Sequence, residues 1–148
     1  MSLQARLSQD LKAAMLAKDP DRLSTLRLLK SAVGYAQIER KSDNLTDAEF
    51  VSVVQKELKK RHDAIEQYEK GGRPELAAHE KKEVPVLESF LPQPLPSAEL
   101  EQLIKTTIQE LGATTKKDMG LVIKAVQAKA AGRADGRNIS ALVGKILQ

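Results

Sequence analysis

From Gly112 onward the chain carries seven basic residues: Lys116, Lys117, Lys124, Lys129, Arg133, Arg137 and Lys145. Only Asp118 and Asp135 oppose them, leaving a local charge of +5. The chemistry this offers is electrostatic capture of an anion. Lys116 and Lys117 are placed to open a helix, where cations work against the helix dipole. Positive charge beside free backbone N–H groups attracts phosphate, so a binding role explains that placement. Lys124 lies two turns beyond Lys117 and is predicted to share its face. Arg133 and Arg137 flank the turn Gly132-Arg133-Ala134-Asp135-Gly136. Gly120, Gly132 and Gly136 would let a ligand approach the backbone closely. Asp135 would shape the turn and cap the last helix, and a plain helix–helix turn explains at least part of this segment. Residues 91–148 contain no aromatic, so stacking on unpaired bases is hard to arrange there. An RNA bound here is expected to be read through phosphates, 2′-hydroxyls and shape.

Elsewhere the search for chemistry returns mostly absences. Neither G-x-G-x-x-G nor G-x-x-x-x-G-K-[ST] occurs, so the two commonest phosphate cradles are missing. There is no cysteine, which excludes disulfides, thiolate metal sites and a cysteine nucleophile. His62 and Glu66 stand four apart, but Lys59, Lys60 and Arg61 beside them would repel a divalent ion. His79, with Glu75 and Glu83 at helical spacing, reads as a surface ion pair. Glu80 and Glu83 read as solvated faces. Lys56, Lys59, Lys60 and Arg61, interleaved with Glu57, Asp63 and Glu66, read as an exposed helix supported by Glu57–Arg61 and Glu66–Lys70 pairs. No catalytic residue, metal or cofactor is expected.

The elements that must position the basic tail are helices. Leu3, Leu7, Leu11 and Met15 mark a first helix over about Ser2–Lys18. Asp19 caps and Pro20 opens a second, running to about Lys41 and burying Leu23, Leu26, Leu29, Val33 and Ala36. Thr46 and Glu49 form a capping box for a third, with Leu45 and Phe50 as its staple and Val54, Leu58, Ile65 and Tyr68 as its stripe. Gly71-Gly72 ends it. A fourth spans about Pro74–Leu91, with Pro85 expected to kink or break it at the Lys81 carbonyl. Leu91-Pro92-Gln93-Pro94-Leu95-Pro96 cannot continue a helix and marks a boundary. Ser97 is the expected cap of a fifth helix to about Leu111, buried through Leu100, Leu103, Ile104 and Ile108. Thr115 is the expected cap of a sixth over about Lys116–Ala131, buried through Met119, Val122, Ile123 and Val126. A seventh covers about Arg137–Leu147. No segment alternates with period two, so no sheet is expected.

The predicted class is therefore all-α, with about seven helices. Four helices occupy an N-terminal domain, 1–91, followed by a proline-rich linker, 92–96, and a C-terminal three-helix bundle, 97–148. The 148 residues are enough for a core without staples. The net charge of +4 divides into +1 over residues 1–95 and +3 over 96–148. No run approaches the ~18 apolar residues of a membrane span. Lys12, Lys18 and Arg22 interrupt the first apolar pattern, so a signal peptide is not expected. The expectation is a cytoplasmic protein with no membrane contact.

Several segments taken together resemble the YqeY proteins. Arg22-Leu23-Ser24-Thr25-Leu26-Arg27-Leu28-Leu29-Lys30-Ser31-Ala32 resembles their opening signature. Glu69-Lys70-Gly71-Gly72-Arg73, Phe90-Leu91-Pro92, Lys117-Asp118-Met119-Gly120 and Gly132-Arg133-Ala134-Asp135-Gly136 follow in the family's order. Pro85 departs from the pattern. The resemblance implies an all-helical protein whose second part is similar to the tail of GatB, the B subunit of the glutamine-dependent tRNA amidotransferase. That tail helps hold tRNA, and the amide-transfer chemistry lies in other domains or subunits. The expected function is thus a non-catalytic, tRNA-binding or tRNA-associated module, with Lys116, Lys117, Lys124, Arg133 and Arg137 on phosphates. The rival is an adaptor for a synthetase or amidotransferase component. A third reading, from the family-level label alone, is an accessory role in carbon–nitrogen ligation with glutamine as amide donor.

Overall fold

The computed structural model describes residues 1–147. Seven α-helices and no strand occur among them: α1 (Leu3–Leu16), α2 (Pro20–Arg40), α3 (Asp47–Lys70), α4 (Pro74–Glu88), α5 (Ser97–Leu111), α6 (Met119–Ala130) and α7 (Gly136–Ile146). The all-α class is as the periodicity predicts. The chain divides into two compact units, Met1–Leu91 and the part from Pro92 onward.

In the first unit the caps follow the local sequence. The Asp19 carboxylate accepts from the Arg22 N–H at 3.2 Å, and Pro20 takes the first helical position. The Thr46 hydroxyl accepts from Glu49 N–H at 3.2 Å, and the Glu49 carboxylate accepts from Thr46 N–H at 2.9 Å. Leu45 and Phe50 close into the core beside it. Thr46→Ala is expected to lower the stability of this unit by about 1 kcal/mol, read as a fall in the urea midpoint at constant slope. The Thr46 N–H and then the Thr46 hydroxyl, with Arg40 assisting, hold the Glu49 carboxyl below its usual range. Its contribution is therefore present above the ordinary glutamate pKa and lost as pH falls through the folded value. Glu49→Gln is expected to flatten that part of the acid-unfolding profile.

The core gathers Leu7, Leu26, Leu29, Val33, Val54, Leu87 and the tilted ring pair Phe50–Phe90, whose centroids lie 5.6 Å apart. The Arg6 guanidinium covers the Phe90 ring at 4.5 Å and donates to the Ser89 carbonyl. Met15 is 56% exposed, and Ala14 is buried in the place the spacing assigns to it. A strict four-residue step drifts about 40° per repeat on a 3.6-residue helix, so by Met15 the stripe has rotated off the core. Pro85 neither breaks nor ends α4, which continues to Glu88. Both Pro85 and Lys81 are exposed, so water can satisfy the Lys81 carbonyl that proline leaves unpaired.

Glu83 corrects a second expectation. It is 7% exposed, with its Oε2 atom 2.7 Å from Arg61 Nε. Glu80 Oε2 lies 3.6 Å from the same nitrogen, and His79 Nε2 lies 3.8 Å from Glu83 Oε1. Glu57 pairs instead with Lys60, while Glu66–Lys70 forms as the spacing predicts. Burial pushes the Glu83 carboxyl up, against the downward pull of Arg61. Arg61 therefore joins α3 to α4 and does not belong to an exposed basic face.

In the second unit α5, α6 and α7 enclose Leu100, Ile104, Val122, Val126, Ile139 and Val143. Leu95 of the proline segment packs against this core. Ser97 does not cap α5. Pro96 holds the cap position with no side-chain bond, and its carbonyl accepts from Leu100 N–H at 3.0 Å. Its extended backbone sets the helix entry, leaving Ser97 inside the first turn. Gly112 ends α5 at φ +64°, the left-handed geometry its missing side chain permits.

Candidate nucleic-acid interface

The tail cations are arranged around α6. Lys116 and Lys117 do not open it, because residues Lys116–Asp118 form a short 3-10 turn and the α-helix starts at Met119. The Thr115 side chain makes no capping bond. Asp118 does the local work instead, accepting from Thr114 N–H at 3.2 Å. The tighter winding of the 3-10 turn removes the basis for placing Lys117 and Lys124 on one continuous helical face. Both lysines of the turn, and Lys124 within α6, are exposed and make no ion pair among the described residues.

At the other end of α6 the chain turns through Ala131 at φ +50° and Gly132 at φ +85°. Gly132 is buried, so its glycine serves the turn itself. Asp135 caps α7 as predicted, accepting from Arg137 N–H at 2.6 Å. Arg133 holds the surrounding chain in place. Its carbonyl accepts from Leu95 N–H at 2.8 Å and its Nε donates to the Gln93 carbonyl at 2.9 Å. Through these two bonds it ties the proline segment to the α6–α7 turn. A side chain at Gly136 would press on Gln127 Nε2 at 3.0 Å, so the close approach there is within the protein. Gly120 is different, since a side-chain carbon at that position would meet open space. Lys129 is engaged, donating to Glu110 and to the Thr107 hydroxyl.

The structure thus does not gather the five predicted phosphate ligands into one pocket. It strings them out: Lys116 and Lys117 before α6, Lys124 in its middle, Arg133 and Arg137 beyond its end. Twelve helical residues span about 18 Å. Around Lys124 the outward face of α6 carries the small, exposed Gly120 and Ala128 beside Leu121, which is 64% exposed. The carboxylates nearest in sequence, Asp118 and Asp135, are bonded to backbone N–H groups. Sequence reasoning missed the Arg133 strap and the Lys129–Glu110 pair, because both partners come from distant segments.

A family model described as Yqey-like protein matches residues 4–147. The chain belongs to the YqeY family. Altered inheritance of mitochondria protein 41 of Kluyveromyces lactis is 32% identical over 125 residues, covering 84% of this chain and 67% of that protein. The Lachancea thermotolerans protein of the same name is 32% identical over 109 residues, covering 72% of this chain and 58% of its own. An uncharacterised Schizosaccharomyces pombe protein is 36% identical over 92 residues, covering 62% of this chain and 74% of itself. The two namesakes are mitochondrial by name, and this overturns the expectation of a cytoplasmic YqeY protein. That expectation rested on missing cysteines and missing apolar runs, features that two aqueous compartments share. Among the described residues no helix is long and apolar enough to cross a membrane.

Proposed function

We propose that this YqeY protein binds folded RNA, of the tRNA class, through the cations strung along α6. The observation that carries the reading is that Lys116, Lys117 and Lys124 are exposed and without ion pairs among the described residues. A compact anion calls for convergent donors. Cations placed before, within and beyond a helix of about 18 Å suit a polymer whose charges recur along its length. Arg133 and Arg137 add to these at the far end of α6, Gly120 keeps the helix face open, and Gly132, Asp135 and Gly136 hold the turn that presents the two arginines. With no aromatic in this unit, recognition rests on phosphates and shape. On this reading the chain supplies binding, and amide transfer belongs to a synthetase or amidotransferase partner.

Amide spectra of the full chain titrated with bulk tRNA test the location. Shifts are expected at residues 114–124 and 131–137, with α3 undisturbed. Shifts confined to residues 1–91 would contradict the reading.

A further inference from the structure

The outward face of α2 has no role in the RNA reading, and it is built unlike an ordinary solvated face. Tyr35 and Ile38 are each 76% exposed and Leu28 is 48% exposed. Counted at 3.6 residues per turn, these three fall on one stripe with Ser24 and Ser31. The spacing 24, 28, 31, 35, 38 alternates four and three residues, the seam by which one helix packs along another. Two shallow depressions follow this stripe and meet at Ser31. At Gly34 a side-chain carbon would meet open space, so a partner can come close there. The opposite stripe of α2, through Leu26, Leu29 and Val33, is already buried in the core. The helix therefore has a second apolar face and nothing in this unit to cover it.

The charges say what kind of partner fits. Arg22 and Arg40, on other sides of α2, are matched by Asp10 and Glu49. Arg27 and Lys41 line the two depressions along one edge of the exposed stripe, Lys30 lies further round the helix, and none of the three makes an ion pair among the described residues. Asp21 and Glu39 fall on the other edge and Asp43 stands at the end of the seam; these three acids also make no ion pair among the described residues, and the Asp43 carbonyl accepts from Gln37. We propose that this face is a docking site for an amphipathic helix of a partner protein, with apolar residues on the seam, acidic residues on the edge that faces Arg27 and Lys41, and basic residues on the edge that faces Asp21 and Glu39. Apolar anchors would supply affinity, and the two edges of opposite sign would set the orientation. The site lies in the first unit and stands independently of RNA binding by the tail.

Two synthetic 21-residue amphipathic helices with the same leucine–isoleucine seam, one edged with glutamate on one side and lysine on the other, and one edged with lysine on both sides, test it against the full chain. The peptide with edges of opposite sign is expected to bind at least tenfold more tightly and to shift the amides of residues 24–38. Tyr35→Ser with Ile38→Ser should weaken it at least tenfold without moving the thermal midpoint, since both positions are exposed. Arg27→Glu with Lys41→Glu should invert the preference between the peptides. Equal binding of both peptides, no binding of either, or shifts outside α2 would overturn the proposal. So would concentration-dependent self-association that Tyr35→Ser abolishes, which would make a second copy the occupant, or tRNA moving these same resonances.

Discussion

Replacing Arg61 by alanine is expected to destabilise the N-terminal unit by about 3–5 kcal/mol. The cost comes from what is left behind. Glu83 is 7% exposed, and Arg61 Nε, 2.7 Å away, is the nearest cation to it in the ion-pair geometry. Glu80 adds a second carboxylate 3.6 Å from the same nitrogen. Removing the guanidinium leaves two acids facing each other, with only His79 at 3.8 Å to compensate. The pH dependence has a definite sign. Burial already raises the Glu83 carboxyl in the folded state, so folding retains a proton that the unfolded chain releases. Stability from this group therefore falls as pH rises from the ordinary glutamate range through the folded value. Without Arg61 the folded pKa climbs further. Urea unfolding should thus show a larger gap between Arg61→Ala and the parent at about pH 7 than at about pH 4. Arg61→Met combined with Glu80→Gln and Glu83→Leu should recover most of the loss, because it removes the clustered charges together. A loss below about 1 kcal/mol, or one independent of pH, would contradict the ascribed role.

Reversing Lys117 and Lys124 to glutamate is expected to weaken tRNA binding about thirty-fold at roughly 0.15 M salt. Two phosphate contacts account for a log–log salt slope of about −1.8, and extending that to about 0.15 M gives roughly 1.5 decades. Repulsion from the new carboxylates adds to this. Both side chains are exposed and unpaired among the described residues, so the fold should survive with an unchanged thermal midpoint. Arg133 is a poorer choice for this test, because its bonds to Gln93 and Leu95 also hold the proline segment. A change at that position would mix lost binding with lost structure.

The helices were legible because their signals are local. Asp19-Pro20, the Thr46/Glu49 box and Asp135 each act within three residues, and each makes the bond its spacing implies. What escaped was pairing between segments. Arg61 shows why: Val54, Leu58, Ile65 and Tyr68 define the stripe of α3, and position 61 falls on that stripe. Its charged side chain disguised an interior position, and the acids that make the position tolerable lie some twenty residues further along. The Lys116–Asp118 turn escaped for a different reason. Thr115 has the chemistry of a cap, but Asp118 reaches back to Thr114 N–H and tightens the chain into a 3-10 turn before α6 begins. The basic composition of the tail was plain in the sequence. Its layout along α6 was not, since that depends on where the helix starts and where Ala131 and Gly132 turn the chain.

The central claim is that the tail of this YqeY protein reads RNA through phosphates. A salt titration of the full chain against bulk tRNA tests it most directly. Five contacts, from Lys116, Lys117, Lys124, Arg133 and Arg137, predict a log–log slope of about −3.5 to −4.5, falling in magnitude by about 1.4 to 1.8 in the Lys117→Glu, Lys124→Glu variant. A slope shallower than about −1, or an affinity that the variant leaves unchanged, would contradict the account.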